Sequence, residues 1–373
     1  MAWNSVFTRK PFTSMPFFGL FKRQDKLLTL AFCVLMLVSL VGLASVSQDL
    51  FRSQALWFGI SIVIIGLFLY IDFRPIINYR WMLFLIYFVT LCLLIAALFS
   101  PAIRNIHAWI IIGPMRFQPA ELAKIALIIL LSYFFARRHI GIAHVSNLAI
   151  SFLYVLLPAG LIIAQPDWGS ALVVFSIWGG FLLASGIRWR HIVIGFSILL
   201  VLSFFAWHFA LADYQKERIV GFFQPSYDPL GVNYSVIQAK IAIGSSGWFG
   251  KGFGHGTQTQ LGFLTEPGTD FIFAAFVEEW GFVGAIILIG AFILLVLRII
   301  IIGLGSRDAF SQFLCLGTAS LFLAEFALNV GSNLALVPVI GVTLPFVSYG
   351  GSSLLTKAIL IGIIQSIAAR ERF

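Results

Sequence analysis

The chain is a succession of apolar runs, each roughly twenty residues long and so able to cross a bilayer as a helix, set apart by short polar stretches. Leu27 to Val46 is the first; others lie near 55–71, 81–99, 119–136, 147–164, 168–187, 191–211, 271–300, 309–331 and 350–368. In hydrocarbon, backbone groups must be satisfied within a helix or a closed barrel, and runs this long select the helix. The expectation is an all-α integral membrane protein with about ten transmembrane helices.

Composition agrees, at 60% hydrophobic and 10% charged. The formal charge of +9 could suggest nucleic acid, but Lys and Arg are scattered between apolar runs and form no patch, so no nucleic-acid partner is expected. With the N-terminus inside, fifteen basic residues fall on the cytoplasmic side and seven outside, with Lys124 and Lys357 left within spans. That bias puts both termini in the cytoplasm. Residues 1–26 then form a cytoplasmic tail and 27–373 one transmembrane domain, with a long extracytoplasmic loop over 212–270 between helices seven and eight. Cys33, Cys92 and Cys315 show neither disulfide nor metal spacing.

Against this background carboxylates are scarce, and two of them, Glu266 and Asp270 in TEPGTDFIF, stand directly before a long apolar run. A charge beside hydrocarbon is costly unless it meets a wet cavity, a partner or a substrate, which makes Asp270 the leading candidate in the chain. Other polar clusters interrupt apolar sequence. QPAELAK sets Glu121 and Lys124 at i and i+3 on one helix face, as a structural ion pair or as part of a cavity. QPDWG places Asp167 where it can cap the following helix or meet a substrate. NVGSNLALVPVIGVTLPFVSYGGSS breaks the ninth span, which is tolerated at membrane depth only where the backbone is packed in protein or lines a cavity.

The external segment is no flexible linker. Val236 to Ile243 reads as a short amphipathic helix, and the glycines from Gly244 to Gly256 permit tight turns. Those turns either return the chain to the membrane or, with Lys240 and Lys251, cradle an anion. Gln118, Asp167, Asp270 and Pro345 all fall at the outer face and could line one cavity for a substrate with a lipid tail and a polar head.

QPAELAK, QPDWG, DPLGVNYSVIQAKIAIGSSGWFGKGFGHGTQTQLGFL, TEPGTDFIF with EEWGFVGA, and LPFVSYGGSS together closely resemble the SEDS family of bacterial cell-wall polymerases, from Asp25 onward. The wording of DPLGVNYSVIQ and GTQTQLGFL is nearer the RodA-like elongation branch than the FtsW-like division branch. The resemblance implies a ten-helix protein of the cytoplasmic (inner) membrane that polymerises lipid II. It also implies work with a class B penicillin-binding protein in the elongation machinery. It places the catalytic aspartate on Asp270 and the polar cavity pair on Glu121 and Lys124. Gln118, Asp167, Glu266, Thr269, Lys240, Lys251 and Ser348 complete the candidate cavity. Four positions depart from the family's usual wording: Thr265 replaces a proline, Pro267 and Gly268 replace a bulkier polar pair, and Ala108 replaces an arginine before Trp109.

Such a reaction needs one base. A sugar hydroxyl attacks an anomeric carbon while a lipid pyrophosphate leaves, inverting the donor, so no second carboxylate is required as nucleophile. Asp270 would take the hydroxyl proton. Lys, Arg or a divalent cation such as Mg or Mn would neutralise the departing phosphates. The alternative class is a flippase for lipid-linked precursor, to which the buried charges Lys124, Glu325 and Lys357 are also suited. A scaffold would need no polar cavity.

Overall fold

A computed structural model describes residues 23–71, 79–101, 106–113, 115–138, 145–186, 213–224 and 233–371, with isolated positions between 193 and 231. In chain order the helices are α1 (Lys26–Val46), α2 (Gln48–Tyr70), α3 (Arg80–Leu98), α4 (Pro119–Arg138), α5 (Val145–Ala164) and α6 (Trp168–Ala184). Three shorter ones follow, α7 (Asp213–Phe223), α8 (Tyr234–Gly244) and α9 (Thr257–Gln260), then α10 (Ile272–Gly305), α11 (Ala309–Asn333) and α12 (Gly351–Arg370). Eight of these are long and apolar enough to cross a membrane, and α6 is a shorter apolar helix of 17 residues. The chain is an all-α membrane protein. The expected span at 191–211 and the tail before residue 23 lie outside the described residues, apart from isolated positions.

Scarce carboxylates start several helices. Asp25, Asp167 and Asp308 each accept a backbone N–H three residues on, from Leu28, Ser170 and Ser311, at the N-termini of α1, α6 and α11. Such caps satisfy donors that the first helical turn leaves without partners. Asp25 also receives the Arg298 guanidinium, which explains why α10 runs past that charge to Gly305.

Element boundaries differ from the sequence expectation in three places. The polar stretch 48–54 is already helical, because only Ser47 intervenes between α1 and α2. Gln54 there turns inward, donating to Ser39 and remaining wholly buried. The ninth span continues through Asn333 before the backbone breaks. The connection before α4 forms a β-hairpin, β1 (Ile110–Ile112) paired with β2 (Met115–Phe117), too short for any hydropathy window to register. Ala108, close before its first strand, is fully buried.

The last helix lies deepest. α12 packs along α2, and α11 packs against α4, α6 and α10. Close approach depends on missing side chains. A Cβ on Gly317 of α11 would stand 2.7 Å from the ring of Phe181 and 3.0 Å from Ile128. Because α4 and α12 are mostly buried, Glu121 and Lys124 on the first and Thr356, Lys357 and Gln365 on the second are enclosed in protein.

Candidate active site

Asp270 ends the loop that leads into α10, and its main chain is held at successive carbonyls. Tyr349 N–H donates to the Gly268 carbonyl at 2.8 Å and the Ser348 hydroxyl to that of Thr269 at 2.6 Å. The Asn329 and Asn333 amides both donate to the Asp270 carbonyl, at 3.0 and 2.9 Å. Glu266 begins this turn in a left-handed conformation, φ 48°, with its carbonyl accepting the N–H groups of Thr269 and Phe271. A non-glycine residue there is strained, and such strain persists only where its surroundings over-determine it. The Thr269 hydroxyl reaches the Glu266 carboxylate at 3.3 Å. Thr265, the departure from the family's proline, gives its hydroxyl to Ser235 on α8, which a proline could not do.

The half-buried Asp270 carboxylate faces Gly341, at which a Cβ would lie 3.9 Å from Oδ2. Gly341 has φ 71°, a conformation that favours glycine. The neighbouring Ile340 carbonyl abuts Gly169 in the first turn of α6, where a Cβ would be only 2.4 Å away. Three motifs distant in sequence, QPDWG, TEPGTD and the break before α12, therefore meet around one strip of backbone.

Beneath this strip lies a buried charge quartet. Lys124 Nζ is 2.8 Å from both Glu121 Oε1 and Glu325 Oε1, and Lys357 Nζ is 2.9 Å from Glu325 Oε2. All four residues are at most 5% exposed. Two acids and two bases balance, which lets them stay charged away from water. The Ser353 hydroxyl and, at 3.4 Å, the Thr343 hydroxyl extend the network from Lys357 toward the backbone strip.

The glycine-rich loop does hold anions with its amides, but the anions are internal. Glu278, wholly buried on α10, accepts the N–H groups of Gln258 and Thr259, the Thr259 hydroxyl and, at 2.8 Å, Lys251 Nζ. Glu279 accepts the N–H of Gly254 and the Ser45 hydroxyl. Gly281 breaks α10 with φ 68°, and the Glu278 and Glu279 carbonyls bond the N–H groups of Lys251 and Gly252. Of the two readings of this loop, the tight turns describe what its backbone does. Its turns return the chain to α10, and Lys251 is committed to Glu278.

The FtsW/RodA/SpoVE family, described as cell cycle proteins, matches residues 23–373. The chain belongs to this family. It is 38% identical to the peptidoglycan glycosyltransferase MrdB of Escherichia coli K12 over 291 residues, 77% of this chain and 78% of that one. It is 37% identical to the MrdB of Helicobacter pylori 26695 over 90% of this chain and 87% of that one. Among solved structures, a chain of a peptidoglycan synthase complex that coordinates polymerization and crosslinking superposes with TM-score 0.79 and 31% identity, over 92% and 97% of the two chains. Thermus thermophilus RodA superposes with TM-score 0.70 and 28% identity, over 93% and 97%.

In this family member the expected residues separate into groups. Asp270, Glu266, Thr269 and Ser348 share one loop junction. Gln118 donates to Asp167 at 3.0 Å beside the α6 cap, so Asp167 serves both. Glu121 and Lys124 belong to the quartet, and Lys240 is exposed on α8. Sequence reasoning passed over Asn329, Asn333, Thr343, Ser353 and Glu278. A signal existed for two of these. Glu325, Asn329 and Asn333 recur every four residues, which sets three polar side chains on one face of an otherwise apolar helix.

Proposed function

We propose that this chain polymerises lipid II during cell elongation, with Asp270 as the general base. Its enzyme class is that of its relatives, a peptidoglycan glycosyltransferase of the RodA type. The observation that carries the assignment of Asp270 is the anchoring of its loop, with Asn329 and Asn333 both holding the Asp270 carbonyl and Ser348 holding that of Thr269. A base held in place has little orientational freedom left to lose at the moment of reaction.

The acceptor hydroxyl attacks the anomeric carbon, the bond to the diphosphate oxygen breaks with inversion, and Asp270 takes the hydroxyl proton. The diphosphate leaves with both bonding electrons and needs charge neutralisation and no general acid. Among the described residues no group of three or more His, Cys, Asp and Glu side chains forms a metal cage. A divalent cation at Asp270 would thus draw on one or two carboxylates and on substrate phosphates, the manner in which Mg ions are usually held. The partner fitting this activity is a class B penicillin-binding protein, and the setting is the bacterial cytoplasmic membrane. Lipid II is the substrate that unites a tail in the bilayer with a sugar at the loop end of the bundle.

Purified protein should convert lipid II to glycan strands in detergent, and Asp270→Asn should not. Movement of lipid II across vesicles without polymer would favour the flippase reading instead.

A further inference from the structure

Beside the Asp270 loop, α7, α8 and the segment 335–339 line an open groove of about 120 Å³. Its walls divide by chemistry. Phe222, Val236, Val337 and Val339 give it an apolar strip, and the two charged side chains lining it, Arg218 and Lys240, are both cationic and both exposed. No lining side chain is acidic. The Arg218 guanidinium reaches the Val339 carbonyl at 3.4 Å, which draws α7 over the groove. Gly221 lets α7 close on Asn233, since a Cβ there would stand 2.6 Å from Asn233 Oδ1.

The groove is coupled to the reacting end. Lys240 stands on α8, whose Ala239 and Ala242 pack against Phe271, the residue after Asp270. Ser235, at the groove wall, bonds Thr265 at the start of the same turn. Val339 lies two residues before Gly341, which meets the Asp270 carboxylate.

We propose that this groove binds the diphosphate of a polyprenyl-linked substrate, with Arg218 and Lys240 on the phosphates and the first isoprene units on the apolar strip. The inference rests on the lipid II reading and adds to it the place where the leaving group is held. Two cations suit a diphosphate better than the single charge of a phospholipid phosphate, and a guanidinium can grip phosphate oxygens in bidentate fashion. Lys251 does not line this groove and is paired with Glu278.

The test uses the full chain in detergent and titrates farnesyl diphosphate, a short polyprenyl diphosphate that binds without turnover. Farnesyl diphosphate should bind more tightly than inorganic pyrophosphate and resist displacement by phosphatidylglycerol. Arg218→Gln with Lys240→Gln should weaken it at least about tenfold, the scale of losing charge-assisted hydrogen bonds. Arg218→Lys with Lys240→Arg should restore most of the affinity, which shows that charge and not folding was lost. Unchanged binding in the Gln variant, or equal displacement by phosphatidylglycerol, would overturn the proposal. Lipid II turnover separates the two readings. If the Gln variant binds normally while Asp270→Asn is inactive, the groove fails and the base stands. If Asp270→Asn stays active while diphosphate binding still depends on the two cations, the base fails and the groove stands.

Discussion

Asn333 Nδ2 lies 2.9 Å from the Asp270 carbonyl oxygen, and its Oδ1 accepts the N–H of Ala274 at 3.1 Å. One buried amide on α11 thus spans the junction at which the loop becomes α10, fixing both the residue before the N-cap Phe271 and the first helical turn. Asn329, one turn earlier, bonds the same carbonyl and that of Val342. Glu325, one turn earlier again, is the centre of the charge quartet. A single helix face therefore connects the buried charges to the backbone of Asp270.

Asp270→Asn removes charge at nearly constant volume. The variant should insert and fold as the parent does but polymerise lipid II at least about 10²-fold more slowly, the usual cost of losing a general base. Single-turnover polymer formation on gels measures this, and a rate within tenfold of the parent would exclude Asp270 as the base.

Replacing Asn333 by Leu leaves the Asp270 carbonyl with one donor and the Ala274 N–H with none. Asn333→Asp restores the acceptor for Ala274 but not the donor for Asp270. Loss of a buried partner costs about 1–3 kcal/mol, so both variants should melt lower. If positioning matters, kcat should fall in both while KM for lipid II changes little. Equal kcat in parent and variants at a temperature where all are folded would reduce Asn333 to a structural tie.

The quartet separates stability from activity. Lys124→Met alone leaves Glu121 and Glu325 without their shared cation, at a cost of roughly 3–5 kcal/mol. Glu121→Gln with Lys124→Met removes one acid and one base and keeps the Glu325–Lys357 pair. The double variant should accumulate and melt nearer the parent than the single one, yet polymerise poorly. Full activity in the double variant would make Glu121 and Lys124 a brace only.

Two glycines in the loop between α8 and α9 share a backbone region but differ in surroundings. Gly250, φ 76°, would place a Cβ 2.1 Å from the Glu279 carbonyl oxygen, whereas Gly254, φ 72°, would place one with nothing within 4 Å. Gly254→Ala should cost only the left-handed penalty, roughly 1–2 kcal/mol. Gly250→Ala should destabilise considerably more, since the atom it meets is backbone. Thermal unfolding compares them, and equal melting temperatures would contradict the docking of this loop on α10.

Orientation is open to a reporter test. Fusions after Gly256 should read as extracytoplasmic and fusions after Arg138 or Arg307 as cytoplasmic, following the basic-residue bias. An internal reading at Gly256 would place Asp270 on the wrong side for lipid II chemistry.

The amino-acid sequence alone determines that this is a membrane protein of many helices, because apolar runs of bilayer length have one economical conformation in lipid. It also isolates Asp270, since a carboxylate before a long apolar run stands out wherever charge is rare. Local spacing predicts the Glu121–Lys124 pair, the Asp167 cap and a short helix over Val236 to Ile243, which the structure extends to Tyr234–Gly244, and all of these depend on residues within a turn or two. What only the tertiary structure decided is which distant groups meet. Glu325 and Lys357 close the quartet from 201 and 233 residues beyond Lys124. Glu278 and Glu279 take the amides of this loop and its lysine as partners within the protein. A glycine-rich string specifies turns and not their occupant, because the electrostatic partner of a loop is set by the helix on which it folds.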